Sequence, residues 1–168
     1  NIMALGGKYI IVKDGENSGF NPFMVESTNE NLNKLKTLMK MLVTRNGEIL
    51  TTLEEENLNR AVESVMRFPI EDRQYGISLV LEHLTEGSDE TNSMKSRLNL
   101  WKSGNKFGWV FDNAIDNFKF DNDEINIYGI DGTDLLANAE VNGVVSFYIL
   151  WRIFSVCDGR RYACFIDE

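Results

Sequence analysis

One histidine, two cysteines and two prolines are all that 168 residues provide, and each scarcity excludes a chemistry. His83 is a lone imidazole with no paired nucleophile, so no hydrolase triad can be assembled from it. Cys157 and Cys164 have neither the spacing of zinc ligands nor the number of a disulfide framework, and a reducing, cytosolic setting is expected. Positive charge is short as well: 17 Lys and Arg against 26 Asp and Glu leave a net charge of -9. The basic residues are scattered, whereas gripping phosphates needs them gathered on one face, so no direct nucleic-acid binding is expected. No apolar run approaches the roughly 18 to 20 residues that cross a bilayer. The opening Asn1-Ile2-Met3-Ala4 has no basic stretch leading into an apolar export signal. It also lacks an initiator Met, and the chain stops directly after the apolar run ending in Phe165-Ile166-Asp167-Glu168, which reads as an internal piece of a longer protein.

What is present suffices for one folded domain, since 43% of the residues are hydrophobic. Lys8-Tyr9-Ile10-Ile11-Val12 is a β-branched and aromatic run closed by Asp14-Gly15, a strand and a tight turn, with a second short strand expected before Pro22. From Ser27 to Trp101 the apolar period becomes helical. Ser27 with Glu30, and Thr51 with Glu54, have the spacing of capping boxes. Leu32, Leu35, Leu38, Met39 and Leu42 form one stripe, and Leu58, Ala61, Val62 and Val65 a second. Ile77, Val80, Leu81 and Leu84 follow behind Pro69, and Met94, Leu98 and Trp101 follow the Gly87-Ser88-Asp89 break, which predicts a block of four helices. After Gly104 a strand is expected at Ile125–Ile130, a largely apolar helix at Val141–Val156 and a strand at Tyr162–Ile166, with Gly159 ending the helix. That order is a βαβ unit with parallel strands. The chain therefore reads as an α/β domain, its sheet mainly parallel, with an all-helical insertion: core residues 1–27, insertion 28–103, and core again 104–168.

Four groups of residues are candidates for chemistry. Asp167 and Glu168 close an apolar strand, and in open parallel sheets ligands bind beyond the carboxyl ends of strands. This is the pattern of a Walker B site, where an Asp holds Mg²⁺ through water and a following Glu orients or deprotonates the attacking water. The same residues also describe a strand leaving the core for solvent. Asp131-Gly132-Thr133-Asp134 is similar to the nucleophile string of haloacid-dehalogenase-like phosphatases, but Gly129 stands where the nucleophilic Asp is needed, so these residues are expected to form a turn and cap the next helix. Arg160 and Arg161 are suited to reach a phosphate across a subunit boundary, or else to complement the negative end of the preceding helix. Gly108-Trp109-Val110-Phe111-Asp112-Asn113 with Asp116 is either a binding surface or a set of aromatic anchors re-entering the core. His83 is expected to cap or solvate its helix end.

Taken in order, these strings resemble the CagE/TrbE/VirB family of type IV secretion ATPases along nearly the whole chain. Ala4-Leu5-Gly6-Gly7-Lys8-Tyr9 followed by Gly19-Phe20-Asn21-Pro22 is similar to the family's segment after the phosphate loop. Leu100-Trp101 leading to Phe107-Gly108-Trp109-Val110-Phe111-Asp112-Asn113 and Asp116 is similar to its tryptophan and Phe-Asp-Asn stretch. Asp158-Gly159-Arg160-Arg161 running into Phe165-Ile166-Asp167-Glu168 is similar to its Walker B approach.

The resemblance implies part of a RecA-like P-loop NTPase domain from a hexameric motor, peripheral on the cytoplasmic face of the bacterial inner membrane, which uses ATP and Mg²⁺ to power secretion and works with other type IV secretion components. It implies Asp167 as the Mg²⁺-linked acid and Glu168 as the catalytic carboxylate, with Arg160 and Arg161 as nucleotide-contacting candidates. No Gly-x-x-x-x-Gly-Lys-Ser/Thr loop occurs in these residues, so the piece is not expected to hydrolyse ATP by itself. Two other readings stay open: a coupling-protein-like or DNA-translocating ATPase of the same superfamily, and a non-catalytic docking module of a secretion complex.

Overall fold

A computed structural model of the chain describes residues 2–44, 46–85, 93–118 and 127–156, together with Ala163 and Phe165. Strand β1 (Lys8–Ile11) forms where the β-branched run predicts it. The second short strand expected before Pro22 does not form. Gly15 and Gly19 take φ of 75° and 71°, and side chains compete for the backbone that a strand would pair. Asn17 Oδ1 accepts from the Gly19 N–H at 3.0 Å, Ser18 Oγ from that of Phe20 at 3.0 Å, and Asn21 Oδ1 from that of Phe23 at 3.1 Å. Three side-chain turns in succession keep residues 17–23 folded back on themselves.

Four helices follow: α1 (Asn29–Thr44), α2 (Thr52–Met66), α3 (Gly76–His83) and α4 (Met94–Asn99). Their predicted stripes face inward. Leu35, Leu38, Met39 and Leu42 of α1, Leu58, Ala61, Val62 and Val65 of α2, Ile77 and Val80 of α3, and Met94 and Leu98 of α4 are all buried. Each such side chain removed from water contributes about 1.5–3 kcal/mol, which is what holds helices as short as α4. The Thr51 and Glu54 capping box is present in both directions. At α1 the expected Ser27 and Glu30 box is replaced: Thr28 Oγ1 accepts from the Asn31 N–H at 3.1 Å. The Ser27 hydroxyl instead donates to the Met66 carbonyl at 2.7 Å and accepts from Arg73, a tertiary use that the local pattern does not encode. His83 lies in the last turn of α3 with its ring 5.5 Å from that of Phe68.

A single turn, α5 (Gly108–Phe111), leads out of the helical block, and β2 (Tyr128–Asp131) then pairs with β1 in parallel, Lys8 opposite Tyr128 and Ile11 opposite Asp131. The short helix α6 (Thr133–Ala137) and the longer α7 (Asn142–Ser155) complete the described elements. The whole helical block thus lies in the crossover between two parallel neighbours. α1 packs on α2 and α4, and also on α7. Val12, Phe20 and Phe23 share one continuous core with the buried residues of α1 to α4 and with Tyr148 and Trp151 of α7. The strand expected at Tyr162–Ile166 and the helix stop expected at Gly159 lie outside the described residues.

Candidate functional site

The carboxyl ends of β1 and β2 lie side by side, the place where parallel sheets present their ligands. Asp131 closes β2 there. Its Oδ1 accepts from the Thr133 hydroxyl at 2.8 Å and from the Thr133 N–H at 3.2 Å, immediately before α6, and its Oδ2 accepts from the Tyr9 hydroxyl at 3.3 Å. The Thr133 hydroxyl, the Thr133 N–H and Tyr9 hold the Asp131 carboxyl below its usual range. Tyr9 is pushed up by desolvation and by the Asp131 charge. The turn expected at Asp131 to Asp134 is therefore present and takes up the Asp131 carboxylate, but the expected side-chain cap is not: Gly132 stands at the N-cap of α6, which has no side-chain cap. Across the same end, Asn138 Nδ2 donates to Asp14 Oδ1 at 2.7 Å and ties the α6–α7 connection to the loop after β1.

Behind this edge the Phe-Asp-Asn stretch enters the core. Phe107, Val110 and Phe111 are buried, and Trp101 lies 4.8 Å from Phe107 and 6.2 Å from Phe111 between ring centroids. Phe111 meets Tyr148 of α7 edge-on at 5.4 Å, and Phe20 packs on Tyr148 at 5.2 Å. These aromatics are anchors, and the polar residues among them are ties. Asp112 accepts from the N–H groups of Ile77 and Ser78 and from the Ser78 hydroxyl, and so caps α3, which has no side-chain cap of its own. Asn113 donates to the Phe20 carbonyl at 2.8 Å. Asn21 donates to the carbonyls of Asn113 at 2.8 Å and Arg73 at 2.9 Å.

Two buried arginines complete the network, and the sequence reading had singled out neither. Arg73 is 3% exposed, and every partner found for its guanidinium is a neutral group of the fold: the carbonyls of Phe23, Val25, Met66 and Phe68, the Ser27 hydroxyl and the Met66 sulfur. Met66 ends α2, so the cation also meets the negative end of that helix. Burial lowers its pKa from the free value, with Glu71 acting the other way. Arg152 of α7 pairs with Asp116, which also accepts from the Tyr148 hydroxyl at 2.9 Å and from the N–H groups of Phe118 at 3.3 Å and Asn21 at 3.4 Å. Burial raises the Asp116 pKa, and Arg152, Tyr148 and the Asn21 N–H oppose that rise. For Tyr148 burial and the Asp116 charge push the same way, and its hydroxyl stays protonated. The signal that was available for Arg152 was a charged residue inside an otherwise apolar helical stretch, Phe147-Tyr148-Ile149-Leu150-Trp151-Arg152-Ile153-Phe154.

The four residues given catalytic or nucleotide-contacting roles, Asp167, Glu168, Arg160 and Arg161, lie outside the described residues. Among the described residues no three His, Cys, Asp or Glu side chains gather as metal ligands, and no helix is long and apolar enough to cross a membrane.

The chain is similar along 99% of its length to proteins of bacterial type IV secretion systems. It is 42% identical over 177 residues to the type IV secretion system protein virB4 of Brucella abortus. It is 36% identical over 173 residues to PtlC of Bordetella pertussis and 33% identical over 169 residues to virB4 of Bartonella quintana. It covers 20–21% of these proteins, so the chain spans about one-fifth of the length of the curated relatives it matches. No protein-family model matches it. The class that these matches define is that of type IV secretion system proteins. Within that class it belongs to the VirB4 family and corresponds to a segment of those proteins.

Proposed function

We propose that this chain is the portion of an ATP-hydrolysing motor that carries the metal-binding end of its nucleotide site, in a protein that powers type IV secretion or conjugative transfer and pilus assembly. The observation that carries the reading is the likeness to type IV secretion proteins over 99% of the chain. The parallel pairing of β1 with β2 supports a RecA-like core made of residues 1–27 and 104–168, with 28–103 as its helical insertion. Secretion relatives also weigh against a DNA-translocating or purely docking role.

The donor chemistry of Asp167 and Glu168 suits the group implied. Mg²⁺ prefers one or two carboxylates and keeps much of its water, and when bound with ATP it neutralises charge on the phosphates. Asp167 would hold Mg²⁺ through water, and Glu168 would orient the attacking water and accept its proton. Arg160 and Arg161 offer bidentate donors to phosphate oxygens, across a subunit boundary if the protein is a hexamer. The missing phosphate loop means that other parts of the protein must cradle the phosphates, so the 168 residues alone are not expected to turn over ATP. Assembly as a hexamer on the cytoplasmic face of the inner membrane, beside other secretion components, belongs to the same reading.

Glu168→Gln in the complete protein tests it. Nucleotide binding is expected to persist while turnover falls at least about tenfold, a general base being worth about 10²–10⁴-fold. Unchanged turnover would take Glu168 out of the mechanism.

A further inference from the structure

We infer that the outward face of α7, marked by Phe147, Leu150 and Phe154, is an interface inside the complete protein, covered there by an apolar surface of the same polypeptide that lies outside these 168 residues.

α7 is apolar on two opposite sides. Val144, Val145, Tyr148 and Trp151 are buried in the continuous core. Phe147, Leu150 and Phe154 follow one another at spacings of three and four, which puts them on one stripe along the other side of the helix. Phe147 is half-buried, whereas Leu150 is 38% and Phe154 67% exposed. Charge is missing from this stripe. Arg152 is the single charged residue of α7, and it is turned inward to Asp116. The exposed sides of α1 and α2, by contrast, carry Glu30 and Lys40, and Glu56 and Arg60. Those two helices are built to meet water on one side, while α7 has the composition of a helix covered all round. An isolated exposed leucine would need no explanation, but an aromatic, aliphatic and aromatic succession over two turns does.

The stripe is also held ready for a contact. α7 is packed on α1, Trp151 Nε1 donates to Asn31 Oδ1 at 3.3 Å, and the Tyr148 hydroxyl donates to Asp116 at 2.9 Å. The inward side thus fixes the helix, and the outward side is presented without further ordering cost.

Two considerations identify the cover. Three side chains are few beside the about 20–30 residues that each partner contributes to a stable interface between separate chains, so the stripe does not suffice to recruit a free partner or a second copy. A segment of the same polypeptide needs much less, because the chain keeps it nearby and it does not give up the overall freedom that an independent partner loses. Such a segment has ample length to come from, since the chain spans about one-fifth of the length of its curated relatives. Where it meets Leu150 and Phe154 the occupant is uncharged and apolar, because a charge there would be buried without a partner.

Photo-crosslinking from the stripe in the complete, purified protein tests this. Phe154 is replaced by p-benzoylphenylalanine, with Thr37, exposed on α1, as the control position. The mass of the product shows whether one chain or two are joined, and mass spectrometry of its peptides locates the partner. The expected result is a crosslink within one chain, from Phe154 to a peptide outside these 168 residues, with no such product from Thr37. A product of doubled mass, a partner peptide from within these residues, an equal yield from Thr37, or no product at all would each overturn the inference. If thermal unfolding shows that the Phe154 variant does not fold, the same replacement at Leu150 decides by the same outcomes.

Discussion

The Oδ2 of Asp112 accepts a 2.6 Å hydrogen bond from the hydroxyl of Ser78, thirty-four residues earlier in the chain. The other carboxylate oxygen takes the N–H groups of Ile77 and Ser78, at 3.0 and 3.1 Å, so one buried side chain caps the first turn of α3 from outside that helix. Asp112 Oδ2 also accepts from the Ser103 N–H at 2.7 Å. The helix needs this cap because Tyr75, the residue before it, sits at φ 52° with no side-chain cap.

Asp112→Ala is therefore expected to destabilise the helical block by about 2 kcal/mol or more, since buried donors lose their acceptor. Asp112→Asn keeps an acceptor oxygen and is expected to cost less. Amide hydrogen exchange at Ile77 and Ser78 in the two variants checks the order.

Arg152→Ala leaves the Asp116 carboxylate buried without its cation, and breaking a buried pair in this way costs about 3–5 kcal/mol. Arg152→Met with Asp116→Leu is expected to recover most of that loss. Thermal unfolding of the single and double variants measures the difference, and equal losses in both would count against the pairing as the cause.

Two glycines should respond in opposite directions to alanine. A Cβ on Gly108 would stand 2.1 Å from the Lys102 carbonyl oxygen, a backbone atom that cannot swing away, so Gly108→Ala is expected to cost about 1–3 kcal/mol. Gly143, in the first turn of α7, has no atom within 4 Å of the same position, and Gly143→Ala is expected to stabilise by about 0.4–1 kcal/mol. Denaturant midpoints of both variants settle the signs.

Glu54 gives a pH dependence. The Thr51 N–H holds its carboxyl below the usual range, helped by the Thr51 hydroxyl, against a smaller desolvation effect. A depressed folded pKa means that the ionised form is favoured by folding, so this contribution is present above the ordinary glutamate range and is lost as pH falls through the lower folded value. The stability difference between the unaltered protein and Glu54→Gln should shrink on acidification through that window. Exchange rates in the first turn of α2, followed from neutral to acid pH, report it.

The elements that were legible in the sequence are those whose evidence is local. The apolar stripes of α1 to α4, the strand at Lys8–Ile11, the capping box at Thr51 and the turn at Asp131 each draw on residues within one or two turns of one another. The same local logic failed at Ser27, whose hydroxyl is taken by Met66 and Arg73, and before Pro22, where the side chains of Asn17, Ser18 and Asn21 bind the backbone. The aromatic and acidic character of the Phe107 to Asp116 stretch was visible, but not its use.

The likeness to the VirB4 family, the succession of α1 to α4 after β1, and the pattern of the candidate carboxylates Asp167 and Glu168 were determined by the order of residues, because each depends on neighbours along the chain or on strings of defined spacing. Tertiary structure decided which polar groups carry the architecture. Asp112, Asn21, Arg73 and the Asp116, Tyr148 and Arg152 cluster join segments between thirty-two and ninety-five residues apart, through hydrogen bonds whose worth arises only when folding removes water from both partners.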